Sequence, residues 1–153
     1  MKKRNVILMM VFIVLLALSG CGDKTAIATS DFTSVAESHS FITANASSQY
    51  SSYEYIKEAT IAQSPDGWQM EFYVLDDEAN AVSMFNTNRE IFEGYKGNSS
   101  GETSSSTGNQ SSYSLSSSGL YMHLCRVDNT LLYVKVDADY KDDAKELIEE
   151  LGY

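Results

Sequence analysis

Toward its C-terminal end the chain carries three β-rich runs almost back to back, at residues 113–117, 120–127 and 131–137, the last two parted only by the turn residues Asp128, Asn129 and Thr130. Gaps this short permit hairpins, because a parallel neighbour needs a crossover of about a dozen residues. An antiparallel meander is therefore expected. Upstream, residues 53–63 read as a strand, and Pro65, Asp66 and Gly67 make a compact turn into a second strand at 68–75. There Trp68, Met70, Phe72 and Val74 alternate with Gln69, Glu71 and Tyr73, the period-two pattern of a pleated strand.

Helix signals punctuate these runs. Ser30 or Asp31 can cap a short helix carrying Phe32, Val35 and Ala36. Asp76, Asp77 and Glu78 place negative charge at the positive end of a helix running to about residue 92, with Val82, Phe85, Arg89 and Phe92 at helical spacing and Gly94 as its stop. Asp139 is expected to cap a last helix whose stripe is Tyr140, Ala144, Leu147, Ile148 and Leu151, with Gly152 left-handed at its end and Tyr153 folded back on Ile148. Residues 96–112 are mostly Gly, Ser, Thr and Asn, cannot bury enough surface to offset ordering, and are expected to form a mobile loop. The sum is one α+β domain over residues 30–153, with a mostly antiparallel sheet of about five strands and about three helices packed mainly on one face. Residues 72–95 and 132–153 each run from an apolar strand through acidic caps into a helix ending in Gly-Tyr. That likeness fits either a weak duplication or the general need of helices for caps and stops.

The N-terminus supplies an address. Lys2, Lys3 and Arg4 precede an apolar run at 6–18, shorter than the roughly 20 residues that a membrane-spanning helix needs. Leu18, Ser19, Gly20 and Cys21 resemble the lipobox of bacterial lipoproteins, which implies removal of residues 1–20 and attachment of a diacylglyceryl group to Cys21. The alternative is an ordinary secretory signal with a chance cysteine. A thiolate is the nucleophile suited to such acylation, and two chains anchor where one holds only marginally. Residues 21–29 then form a tether of at most about 30 Å, keeping the domain at the extracytoplasmic face of the cell membrane.

Charge narrows the partners. The first 20 residues hold three basic and no acidic side chains, so the remainder carries 8 basic against 21 acidic residues, a net charge of −13. A surface this acidic disfavours nucleic acid and other polyanions. With Cys21 consumed by lipid, Cys125 is alone and no intramolecular disulfide is available.

The segments Glu71-Phe72-Tyr73-Val74-Leu75-Asp76, Ala81-Val82-Ser83-Met84-Phe85-Asn86 and Arg126-Val127-Asp128-Asn129-Thr130-Leu131, followed by Tyr140-Lys141-Asp142 and Leu151-Gly152-Tyr153, resemble a group of small uncharacterised lipoproteins of Gram-positive bacteria. The resemblance implies the anchor and the fold and brings no catalytic residue.

Four arrangements carry candidate chemistry. Gly97, Ser99 and Gly101 match the G-x-S-x-G spacing of a hydrolase nucleophile elbow, with His39 and His123 as the imidazoles available for a base, but the serine-rich context is not a strand-to-helix turn. His123 and Cys125, two apart on a strand, share a face and offer two metal ligands where a zinc site wants three or four; a small buried thiol is the simpler role. Asp137, Asp139, Lys141, Asp142 and Asp143 begin like a calcium loop but put Lys141 at the fifth position, Asp142 at the sixth and Ile148 at the twelfth, and so read as capping and solvated charge. Finally, Tyr73, Tyr121, His123, Tyr133 and Lys135 are expected to share the sheet face opposite Phe72, Met122, Leu132, Val134 and Val136. If helices cover the latter, the tyrosine face is open for an envelope protein or small ligand; otherwise these tyrosines merely suit strands. No cofactor is called for. A lipid-anchored, non-enzymatic binding or accessory module is the first expectation, with a serine hydrolase or a metal-capturing lipoprotein as alternatives.

Overall fold

The computed structural model describes residues 23–153; the expected signal segment and Cys21 lie outside the described residues. In chain order come α1 (Thr29–Ser38), β1 (Ile42–Asn45), a 3-10 turn (Ser47–Tyr50), β2 (Ile56–Gln63), β3 (Gln69–Leu75), α2 (Glu78–Glu93), β4 (Gly101–Thr107), β5 (Gln110–Ser117), β6 (Leu120–Val127), β7 (Thr130–Asp137), a second 3-10 turn (Ala138–Tyr140) and α3 (Lys141–Glu150). The strands form one antiparallel sheet in the order β1-β2-β3-β7-β6-β5-β4. The chain leaves the sheet after β3, crosses a face as α2, enters the far edge as β4 and meanders back until β7 pairs with β3. No helix among the described residues is long and apolar enough to cross a membrane.

The sheet is an α+β domain of seven strands where about five were expected. The two extra strands are both edges. β1 is four residues with Ile42 exposed, too short to show a period. β4 occupies most of the stretch expected as a mobile loop at 96–112, and that expectation is corrected: residues 101–107 pair in full register with β5. Backbone ladder bonds need no apolar side chain, and the hydroxyls pair across the strands instead, Thr103 with Ser114 at 2.6 Å, Ser105 with Ser112 at 2.9 Å and Ser106 with Ser111 at 3.1 Å. β5 supplies the burial through Tyr113 and Leu115, both wholly inaccessible.

The helices were expected mainly on one face; they lie on both. One face of the sheet presents Met70, Phe72, Leu132, Val134 and Val136 to Phe32 and Ala36 of α1 and to Ala144, Leu147 and Ile148 of α3. The other presents Tyr73, Leu75, Leu115, Met122, Leu124 and Leu131 to Ala81, Phe85 and Phe92 of α2. Strands buried on both sides lose their alternation, which is why β6 reads as a nearly continuous apolar run.

Local signals set the helix ends. Asp77 caps α2 by accepting the Asn80 amide at 2.8 Å. At α1 the Asp31 carboxylate accepts the amide of Ala28 at 3.1 Å, and the cap position is Ala28, two residues before Ser30. The Asp139 cap is not formed, because the chain enters α3 through the 3-10 turn. The far end is as expected: Gly152 has φ +78°, its amide bonds Glu149 and that of Tyr153 bonds Ile148. The Tyr153 ring then meets Phe72 edge to face at 6.1 Å.

Candidate functional site

The five residues expected to form one tyrosine face are divided between the two faces. Strand register decides this: Tyr121 stands opposite Val136 and His123 opposite Val134, whereas Met122 stands opposite Lys135. Tyr121 and His123 thus lie on the α1 and α3 side, and Tyr73, Tyr133 and Lys135 lie under α2. Neither group is bare. Tyr73 and Tyr121 are buried, Tyr133 packs on Phe92 at 5.1 Å, and the Lys135 ammonium sits 4.0 Å from the Tyr95 ring centre. Burial pushes the Tyr121 and Tyr133 hydroxyls up to about 12.

His123 and Cys125 do share a face; Cys125 is buried and His123 half-buried, with both of its ring nitrogens inaccessible. Burial, with the nearby Lys24 charge second, pulls the His123 imidazole down to about 4. Burial pushes the Cys125 thiol up to about 11. Both are uncharged at neutral pH, and neither ring nitrogen of His123 has a hydrogen-bond partner. No group of three or more His, Cys, Asp or Glu side chains stands close enough to hold a metal among the described residues.

Ser99 lies in a turn between the end of α2 and the start of β4. That order, helix then strand, is the reverse of a nucleophile elbow. The hydroxyl that organises this turn is that of Ser100, which accepts the Gly97 amide at 2.8 Å and bonds Ser117 at 3.0 Å. His39 is engaged elsewhere, 2.7 Å from Glu150.

The structure instead opens a cleft of about 330 Å³ where the β1–β3 half of the sheet passes the flank of α2. Tyr50, Tyr53, Tyr55, Ile56 and Tyr73 form its sheet side; Asn80, Ser83, Met84, Thr87 and Asn88 line it from successive turns of α2. The backbone between the 3-10 turn and β2 positions three of the rings: the Tyr53 amide bonds Tyr50, the Ile56 amide bonds Tyr53, and the Tyr55 carbonyl accepts from Asp76 at 2.9 Å. Tyr50 meets Tyr73 edge to face at 5.3 Å, and Tyr53 meets Tyr55 likewise at 5.9 Å. The Tyr73 hydroxyl donates to the Glu71 carboxylate in a short hydrogen bond, and Tyr50 is within 3.4 Å of the same carboxylate. Burial first and Glu71 second raise both phenols above the ordinary range.

Sequence reasoning named Tyr73 as a candidate and did not name the other residues of this cleft. The signal was present as Tyr50-x-x-Tyr53-x-Tyr55, three tyrosines in six positions, of which Tyr53 and Tyr55 were read as the start of a strand over 53–63 that in the structure begins only at Ile56. The α2 contribution gives no signal, since Asn80, Ser83, Thr87 and Asn88 are ordinary polar residues of a helix flank.

No protein-family model, curated protein or solved structure matches the chain.

Proposed function

We propose that the protein is a non-enzymatic binding module, anchored by a diacylglyceryl group on Cys21 to the extracytoplasmic face of the cell membrane, with the tyrosine cleft as its ligand site. The observation that carries the reading is the cleft itself: four tyrosines and a methionine with a rim of amide and hydroxyl groups, concave, of the size that small ligands occupy. Its phenol–carboxylate pair, Tyr73 with Glu71, holds the phenol protonated well above neutral pH instead of activating it as a nucleophile.

The anchor reading rests on the Leu18-to-Cys21 sequence, and the residues just after it fix where the domain would stand. Lys24 is already tied to the domain: its amide donates to the Asn109 side chain at 3.0 Å, its carbonyl accepts from the same side chain at 2.6 Å, and its ammonium donates to Gly152 at 2.8 Å. Covalent geometry allows at most about 10 Å between Cys21 and Lys24. Tyr55 and Asn80 lie at the end of the sheet that also holds Lys24, through the bonds linking Asp76 to Tyr55, Leu75 to Asn129 and Asp128 to Asn109. A ligand in the cleft would sit near the lipid surface.

Two measurements test this. Cys21→Ser should move the chain from the membrane fraction to the soluble or uncleaved precursor pool, and unchanged anchoring would remove the first half. A nuclear magnetic resonance screen of envelope fragments and small metabolites should perturb Tyr53, Tyr55 and Thr87; ligands that bind only elsewhere on the domain would remove the second.

A further inference from the structure

The lining of the cleft limits what chemistry it can hold. Tyrosine rings carry negative potential on their faces, and a cation above a ring gains from it even at partly exposed sites. Elsewhere the fold uses this attraction internally: Arg89 stands 5.2 Å from the centre of the Tyr113 ring, Lys135 4.0 Å from that of Tyr95 and Lys141 5.6 Å from that of Tyr121. These are the cation–ring pairs among the described residues, and none involves Tyr50, Tyr53, Tyr55 or Tyr73. The four rings gathered in the cleft therefore have no cation from the fold itself among the described residues.

Three further features point the same way. The two edge-to-face pairs, at interplanar angles of 84° and 67°, set ring faces at steep angles to one another, as the walls of a box. Donation of the Tyr73 hydroxyl to the Glu71 carboxylate makes that ring more electron-rich and puts a negative charge just behind it. No lysine or arginine lines the cleft, while the chain as a whole carries a net charge of −10, so the field favours entry of cations and opposes anions. The α2 side adds amides and hydroxyls able to bond a polar tail, from Asn80, Ser83, Thr87 and Asn88.

We infer that the cleft binds a small free organic cation, a methylated or quaternary ammonium compound, boxed by Tyr50, Tyr53, Tyr55 and Tyr73 with its polar tail against α2. This deepens the binding reading and rests on it. A quaternary ammonium suits the arrangement better than a primary one, since it needs no hydrogen-bond acceptor inside the box and gives up a weaker hydration shell.

The test is calorimetric titration of the full chain in non-ionic detergent with choline and with 3,3-dimethylbutan-1-ol, its neutral isostere. Choline should bind about tenfold tighter than the alcohol, Tyr53→Ala should weaken it several-fold, and Tyr53→Trp should keep or strengthen it. Tyr53 is half exposed, so neither change threatens folding. Equal binding of the two probes at the cleft would overturn the cation inference and leave the cleft reading standing. Binding of neither, together with a fragment screen that leaves the cleft untouched, would remove both. A response to water-soluble dihexanoyl phosphatidylcholine with none to choline would overturn the free ligand in favour of a lipid headgroup.

Discussion

The hydroxyl oxygens of Tyr50 and Tyr73 lie 2.8 Å apart, above rings that meet edge to face at 84°, although 23 residues separate the two in the chain. This contact joins the 3-10 turn to the middle of β3, and with Glu71 it forms a three-member polar network at the back of an aromatic cleft. A partly buried network of this kind stabilises most while every member keeps its partner.

Tyr73→Phe keeps the ring and deletes the donor, leaving the Glu71 carboxylate with Gln69 at 3.0 Å and the longer Tyr50 contact at 3.4 Å; a loss of about 1–2 kcal/mol of unfolding free energy is expected. Because the folded state holds the Tyr73, Tyr121, Tyr133 and Tyr153 hydroxyls protonated above their ordinary range near 10, their stabilisation is complete below about pH 10 and is lost as pH rises toward 12. Absorbance of tyrosinate should therefore rise in two stages, exposed tyrosines first and these four only with unfolding. A single stage near pH 10 in folded protein would contradict the burial of all four.

His123 predicts the acid limb. Its imidazole is held near 4 against an ordinary value of 6.5, so the unfolded chain binds the proton that the folded one refuses, and stability falls as pH drops from about 6.5 to about 4. Integrated over that window the loss is a few kcal/mol. His123→Leu should flatten this limb of the denaturation profile and cost little at pH 7, since neither ring nitrogen has a partner to lose. An unchanged acid limb in the variant would assign it to the carboxylates.

Asn109 ties three segments: its amide nitrogen donates to the Lys24 carbonyl and to Asp128, and its oxygen accepts the Lys24 amide. Asn109→Ala should release the segment at 24–28 and speed hydrogen exchange at the Lys24 amide by at least tenfold while β6 and β7 amides stay protected. Gly108→Ala should act on the same junction, because Gly108 has φ +54° and an added Cβ would stand 2.4 Å from the Asp23 carboxylate. A cost of about 1–2 kcal/mol follows from the left-handed backbone alone. If both variants melt and exchange as the parent does, the junction does not hold the tether.

What could be read directly was whatever is local in the chain. Capping at Asp77, the left-handed Gly152 with its two closing bonds, the alternation from Trp68 to Val74 and the short turns of the meander each depend on residues within a few positions of one another, and each was legible. The meander even fixed antiparallel pairing, because gaps of two or three residues allow nothing else.

Three things were decided only by the folded whole. Alternation shows that a strand has two faces but not which face it shares with its neighbour; that is set by register, and the pairing of Tyr121 with Val136 put this tyrosine against α3 instead of beside Tyr73. The serine-rich stretch became a strand because β5 offered it an open edge to bond, a property of the neighbour and not of its own side chains. The cleft arose where a 3-10 turn, two strands and one flank of α2 came together, four pieces up to 38 positions apart whose nearness is bought by hydrophobic burial on both faces of the sheet. The amino-acid order settled the kind of those elements whose signals are local; the packing of the elements on one another settled the edge strands and which side chains meet.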